Sequence, residues 1–173
     1  MLSLPPYTLS MVKAMFSLAY FGFLRPGEIC KSPHTLQLSQ VQVFSAKLVI
    51  EFSTFKNSRG KPIYLTIPRK FDFYCPVHAL SRFLRCRGPQ EGALFCDTLG
   101  KEISPFQFSK FLKMAVIAAG LPGKFSGHCF RIGAATQAAM DGMPDHVIQR
   151  LGRWRSLAWL VYVRRANIKN LLK

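Results

Sequence analysis

Proline and glycine residues divide the second half of the chain into short segments, and their spacing is the feature that most limits its fold. Proline is favoured at the first position of a helix, and glycine just after its end. Pro76 and Gly88 therefore bracket one predicted helix, and Ser104 to Pro105 and Gly120 bracket another. Three more helices are predicted, from Ser126 or Gly127 to near Gly142, from Pro144 to Gly152, and from Ser156 through Tyr162.

The N-terminal part predicts one further helix. Thr8 or Ser10 can cap it, and it should stop near Pro26 because proline disfavours helical geometry in the residue before it. Its apolar positions follow helical spacing: Met11, Met15, Leu18 and Ala19. The apolar run over 14–24 is too short to span a bilayer, which favours a core helix.

Between these helical parts, residues 48–67 indicate a β-hairpin. Two β-rich runs, Leu48 to Phe52 and Ile63 to Ile67, flank turn residues at Asn57 to Gly60. Leu38 to Phe44 forms a weaker candidate strand. The sequence therefore predicts an α+β domain, mostly helical, with a small three-stranded antiparallel sheet, and it shows no internal repeat or linker.

The chain is strongly basic. It has 24 Lys and Arg against 8 Asp and Glu, a formal net charge of +16, while 49% of its 173 residues are apolar. A compact domain with this much self-repulsion is typical of proteins that bind a polyanion, although a merely soluble basic surface is the alternative. An anionic membrane is a poorer partner because no segment reads as an amphipathic basic helix.

Five cysteines, an odd number without a CxxC pair, argue against a disulfide framework and favour a reducing compartment. Cys75 with His78, and His128 with Cys129, could each supply two zinc ligands. Neither pair has a second pair at a recognisable spacing, so we expect no metal site and interpret the cysteines as buried apolar residues.

Three stretches combine strong cations with apolar neighbours: Leu24 to Glu28, Ser126 to Arg131, and Leu151 to Trp154 followed by Tyr162. With these boxes in this order, the sequence resembles the tyrosine recombinase (phage integrase) family. Its C-terminal boxes look most like the recombinases of DIRS-, Ngaro- and Crypton-type mobile elements. The resemblance implies the catalytic fold of that family over residues 1–173. With 24 residues ahead of Arg25, the family's N-terminal DNA-clamping domain and first helix are expected to be absent.

The resemblance assigns roles to individual residues. Arg25, His128 and Arg131 match the phosphate-binding catalytic residues, Tyr162 the nucleophile, and Glu28 an acid that orients the site. His128 and Arg131 are three residues apart, so on a helix they share a face and could point at one phosphate. The ordinary alternatives are a surface histidine and arginine, a local ion pair of Glu28 with Arg25 or Lys31, and a core tyrosine.

Other matches leave alternatives open. Lys56 matches the family's mobile hairpin lysine, with Lys61 as the alternative, and Arg59, Lys61 and Arg155 are candidate DNA contacts. The ordinary alternative is that these are solvated lysines of a hairpin turn, which would give the same sequence pattern. For the position that holds histidine or tryptophan in the family, Trp154 suits the chemistry, whereas counting back from Tyr162 gives Arg153.

These residue types suit phosphodiester cleavage without a metal, because guanidinium groups stay charged and match phosphate oxygens. The family resemblance implies a covalent 3′-phosphotyrosine, no cofactor, no small-molecule substrate, double-stranded DNA as partner, tetramers on DNA, and a nuclear location. The competing interpretations are a type IB topoisomerase-like enzyme, a DNA-binding domain that has lost catalysis, and an unrelated RNA-binding domain.

Overall fold

The predicted fold class is confirmed. The computed structural model describes residues 4–53 and 62–156 and the single residues 160 and 163, and these contain six α-helices and one three-stranded antiparallel sheet. Their bounds are α1 Pro6–Phe21, α2 Pro26–Ile29, β1 Val41–Val43, β2 Lys47–Phe52, β3 Ile63–Pro68, α3 Pro76–Arg87, α4 Pro105–Ala118, α5 His128–Met140 and α6 Asp145–Leu151, with a 3-10 turn at Leu38–Gln40.

The first helix starts and ends earlier than the sequence predicts. It begins at Pro6, whose fixed φ suits a first helical position, and it ends at Phe21. Phe23 then adopts a φ of 51°, in the left-handed region that ends helices, and Pro26 starts the separate helix α2. Arg25 is therefore the N-cap residue of α2, in a corner between two helices.

The hairpin prediction is confirmed. β2 pairs with β3 in a register that places Leu48 opposite Ile67 and Ile50 opposite Leu65, and alternate side chains of β2 are buried. The candidate strand at 38–44 is shorter than predicted, because its first residues form the 3-10 turn. The predicted turn at 57–60 lies outside the described residues.

The helices bracketed by proline and glycine form as predicted. Ser104 caps α4 by accepting a hydrogen bond from the Gln107 amide (3.2 Å), and the Gln107 side chain accepts one from the Ser104 amide (2.8 Å). This reciprocal capping box fixes where α4 begins. The last predicted helix, which carries Tyr162, lies outside the described residues.

Two hydrophobic clusters hold these elements together. The larger one joins α1, α3 and the inner face of the sheet, and α1 also packs against α5. The smaller one consists of Phe23, Ala134, Ala135, Ala138, Ile148 and Val163. It packs α5 and α6 against Phe23, which follows the end of α1. No described helix has the length and apolar character needed to cross a membrane.

The cysteines differ in exposure, which predicts their reactivity. Cys30 is buried, and burial raises the pKa of its thiol to about 12, whereas Cys86 is exposed. The thiolate is the nucleophile, so at pH 8 we expect iodoacetamide to modify Cys86 and to leave Cys30 unmodified until the protein is denatured. Peptide mass spectrometry of native and denatured samples tests this. Rapid native labelling of Cys30 would contradict it.

Candidate active site

The three cation-bearing boxes meet at the corner between α1 and α2. At this corner Glu28 fixes Arg25 twice. The Arg25 backbone N–H donates to Glu28 Oε2 (2.8 Å), and Arg25 Nη1 donates to Glu28 Oε1 (3.2 Å). The Arg25 side chain keeps 23% of its surface exposed, whereas that of Glu28 keeps 2%. The carboxylate therefore orients a guanidinium that solvent can still reach.

The second box reaches this corner through a glycine. A Cβ on Gly127 would lie 2.8 Å from Pro26 Cγ, closer than real Cβ contacts, and 3.0 Å from Phe108 Cε1, which is tighter than most of them. Only glycine therefore lets the start of α5 pack so tightly on α2. His128, the next residue and the first of α5, is exposed beside this contact.

Arg131, one turn along α5, is buried with 1% of its surface exposed. Its Nη1 donates to the Phe23 carbonyl (2.6 Å), and its Nη2 donates to the carbonyl of Gly152. That His128 and Arg131 can point at one phosphate stays a prediction, and the structure places the two side chains at different depths. They share a helix, but His128 lies at the surface and Arg131 lies beneath it.

Trp154 covers Arg131. The guanidinium carbon lies 3.8 Å from the centre of the indole, and Phe23 meets the same indole edge-on at 6.3 Å. Any Cβ on Gly152 would overlap the indole, so Gly152 is needed for space, since its φ of −79° suits any residue. The third box thus forms a compact stack on the second.

Arg153 points into the protein. Its Nη2 forms an ion pair with Glu28 Oε2 (2.7 Å), and its guanidinium also donates to the carbonyls of Gly22, Leu151 and Phe23. Burial lowers the pKa of Arg153, and the neighbouring Glu28 carboxylate raises it. Arg155, a predicted DNA contact, is exposed.

Four predicted site residues lie outside the described residues: Lys56, Arg59, Lys61 and Tyr162. Their described neighbours reach the corner. The ring centre of Phe52, the last residue of β2, lies 4.0 Å from the Arg153 guanidinium carbon. Val163 is buried in the small cluster that contains Phe23. Phe52 precedes the undescribed residues 54–61 by two positions and Val163 directly follows Tyr162, so each of these parts of the chain has one described residue near the corner.

Chemically, the corner offers positive charge. The guanidinium groups of Arg25 and Arg153 pair with the Glu28 carboxylate, and that of Arg131 binds two backbone carbonyls. Among the described residues, no three His, Cys, Asp or Glu side chains come together as metal ligands. The feature that the sequence did not reveal is the Phe23 carbonyl, which accepts from both Arg131 and Arg153. Nothing in the residue types signals the left-handed backbone at Phe23.

Comparison with known proteins agrees with this arrangement. Residues 7–167 match the pattern of the Phage integrase family. The chain therefore belongs to the phage integrase family of tyrosine recombinases, enzymes that break and rejoin DNA.

Among individual proteins, the chain is similar to the virulence plasmid integrase pGP8-D of Chlamydia muridarum, with 30% identity over 122 residues. The homologue from Chlamydia trachomatis serovar L2 is 28% identical over the same length. Each match covers 70% of this chain and 34% of the relative, so the matched part spans about a third of those proteins.

Solved recombinase structures share the fold. The XerH site-specific recombinase bound to palindromic difH substrate superposes with a TM-score of 0.77 at 15% identity, covering 98% of this chain and 46% of that one. The XerA recombinase has a TM-score of 0.74 and 19% identity, and the match covers 95% of this chain and 56% of that one. The Tn1549 transposon integrase in complex with circular intermediate DNA has a TM-score of 0.62 and 16% identity, and the match covers 99% of this chain and 64% of that one.

Proposed function

We propose that the chain is the catalytic domain of a site-specific DNA recombinase that cuts one strand with Tyr162 and rejoins it. The observation that carries this proposal is the meeting of Arg25, Arg131 and the Gly152 to Trp154 turn at one corner, with His128 at its surface. Cations fixed before the reaction stabilise the charge that develops on the non-bridging oxygens.

A phosphate would meet the corner in two stages. Arg25 and His128 are accessible from solvent, whereas Arg131 lies under the Trp154 indole. We infer that the scissile phosphate first engages the accessible pair. Displacement of Trp154 from the Arg131 guanidinium would then admit an oxygen to the second arginine. Trp154, and not the inward-pointing Arg153, is our candidate for the position that holds histidine or tryptophan in the family.

The covalent step follows from the roles given to Tyr162 and Lys56. The phenol oxygen of Tyr162 attacks the phosphorus, the bond from phosphorus to the 5′-oxygen breaks, and a 3′-phosphotyrosine forms. His128 accepts the phenol proton, and Lys56, or Lys61 in its place, protonates the leaving 5′-oxygen. Attack by a 5′-hydroxyl reverses these steps, so the bond energy is kept and no nucleotide cofactor is required.

Double-stranded DNA is the proposed partner. The net charge of +16 supports this, and the XerH and Tn1549 integrase structures contain DNA. Tetramers on DNA, a nuclear location, and an origin in a DIRS-, Ngaro- or Crypton-type mobile element remain parts of the proposal that rest on resemblance in the terminal boxes.

A nicked suicide duplex tests the covalent step, because loss of the short cleaved strand traps the intermediate. We expect a protein–DNA adduct on a denaturing gel that is lost in Tyr162→Phe. Tyr74→Phe is the matched control, since Tyr74 is an exposed tyrosine away from the corner, and it should form the adduct normally. An adduct that persists in Tyr162→Phe would reject the nucleophile.

Two further outcomes separate the alternatives. A folded protein that binds DNA but forms no adduct would be a DNA-binding domain without catalysis. An enzyme that forms the adduct and relaxes plasmid supercoils, yet does not recombine two sites, would be topoisomerase-like.

A further inference from the structure

Arg153 contacts each part of the corner but is turned away from its surface. Its side chain is 2% exposed, and its Nη2 lies 2.7 Å from Glu28 Oε2. Its Nη1 donates to the Gly22 carbonyl (3.3 Å) at the end of α1 and to the Leu151 carbonyl (3.2 Å) at the end of α6. One guanidinium therefore ties three helix ends together.

We propose that Arg153 is a positioning residue for DNA cleavage, which acts on the phosphate only through Glu28 and Arg25; this inference rests on the function proposed above. Glu28 Oε2 accepts from both Arg153 Nη2 and the Arg25 amide, so Arg153 fixes the carboxylate that orients Arg25. The Arg153 carbonyl also accepts from Arg25 Nη2 (3.4 Å). Arg25 is thus constrained from two directions by one residue.

The surroundings of the Arg153 guanidinium exclude a direct contact with DNA in this arrangement. Its carbon lies 4.0 Å from the centre of the Phe52 ring, and its buried Nε has no hydrogen-bond partner among the described residues. Because the side chain is 2% exposed and the Phe52 ring lies against its guanidinium, a phosphate in solvent does not reach it in this arrangement. The side chain therefore serves the geometry of the site.

The backbone at Arg153 supports the same role. Its φ of 55° lies in the left-handed region that non-glycine residues rarely adopt, so the side-chain contacts keep a conformation that the residue type disfavours. This conformation directs the carbonyl to Arg25. Glycine adopts the same φ readily, so Arg153→Gly removes the guanidinium and leaves this part of the backbone allowed.

The first experiment measures the rate of adduct formation at saturating suicide substrate, together with DNA affinity and its salt dependence. For Arg153→Gly we expect the rate to fall about 100-fold, because misplacing a reacting group by about 1 Å costs this much. Arg153→Lys keeps the charge but not the planar fork, and should lose about tenfold. DNA affinity and its salt slope should be unchanged in both.

A substrate with a methylphosphonate at the scissile position tests whether Arg153 acts through Arg25. Its methyl group replaces a charged oxygen, so it reduces the need for a cation that touches that oxygen. Because the position of Arg25 then matters less, we expect this substrate to restore much of the lost cleavage in both Arg25→Ala and Arg153→Gly. On the ordinary substrate, the double variant should cleave no slower than Arg25→Ala alone. No restoration in Arg153→Gly, or additive losses in the double variant, would overturn the inference.

Arg87 provides the matched control. It is also buried, and it donates hydrogen bonds to four carbonyls, those of Gly88, Gln90, Ala93 and Leu94, far along the chain from the corner. Arg87→Met should lower the melting temperature but leave the cleavage rate of the folded protein unchanged. Loss of either Arg87 or Arg153 should lower the melting temperature, but of these two residues Arg153 alone should change the rate.

Failure of the proposed function remains distinguishable. If the wild-type protein forms no adduct, that function is rejected, and thermal unfolding of Glu28→Gln, Arg153→Gly and the double variant still tests the link between the two residues. We expect the double variant to be more stable than the sum of the single effects predicts. Simple additivity would overturn the inference.

Discussion

Arg131→Met should abolish DNA cleavage and also weaken the fold. Arg131 donates to the carbonyls of Phe23 and Gly152, and the Phe23 carbonyl keeps Arg153 as a second donor, so the main loss is at the Gly152 carbonyl. An unsatisfied buried acceptor costs about 1–3 kcal/mol, and we expect the free energy of unfolding to drop by a similar amount. Because the proposed phosphate contact is lost as well, adduct formation should fall by about 1000-fold or more.

The two effects separate by temperature and by comparison with a second buried arginine. Circular dichroism melting gives the loss of stability, and the cleavage assay is then run well below the lower melting temperature. Arg87→Met should show a similar loss of stability with normal cleavage. If Arg131→Met cleaves at the wild-type rate while folded, the role of Arg131 in phosphate binding is wrong.

Gly152→Ala is also expected to have a large effect, although it adds a single methyl group. That methyl would occupy the space of the Trp154 indole, and the backbone at Gly152 is rigidly placed at the end of α6. Forcing extra volume into such a contact costs about 1–3 kcal/mol. The methyl group also keeps Trp154, our candidate for the position that holds histidine or tryptophan in the family, from its place at the site, so we expect cleavage to fall about 100-fold.

The physical cause can be tested by removing the other partner of the overlap. In Gly152→Ala with Trp154→Ala, the methyl group has room, so the double variant should melt no lower than Trp154→Ala alone. An additive loss would mean that the glycine serves another purpose. Gly142→Ala is a poor control because Gly142 has a φ of 75°, whereas Gly133→Ala, which adds a methyl in ordinary contact with Tyr20, changes volume without overlap.

The sequence predicted the elements well, because each boundary has a local cause. Pro76 and Gly88 bracket α3, and Ser104 caps α4 as its residue type suggests. The end of α1 was misplaced because it depends on Phe23, whose left-handed backbone is set by tertiary contacts and not by its own preference.

The meeting of the three boxes at one corner was predictable from the sequence, but the orientation of their side chains was not. The order of the boxes placed Arg25, His128 and Arg131 together, and the structure brings their backbones to one corner. The sequence could not show that Arg131 and Arg153 turn inward, since the burial of a guanidinium depends on which carbonyls lie near it in three dimensions. From the sequence, Gly127 and Gly152 were interpreted as helix boundaries. In the structure, their missing side chains leave the space that Pro26 and Trp154 occupy.

The shared carbonyl of Phe23 has a consequence for folding. Because one oxygen accepts from residues more than a hundred positions further along the chain, the arginines can be arranged only after the last helices have docked on the first. Under the proposed function, an incompletely folded chain would carry the positive charge that attracts DNA without the geometry needed for cleavage. Strand breakage would then be restricted to molecules that have finished folding.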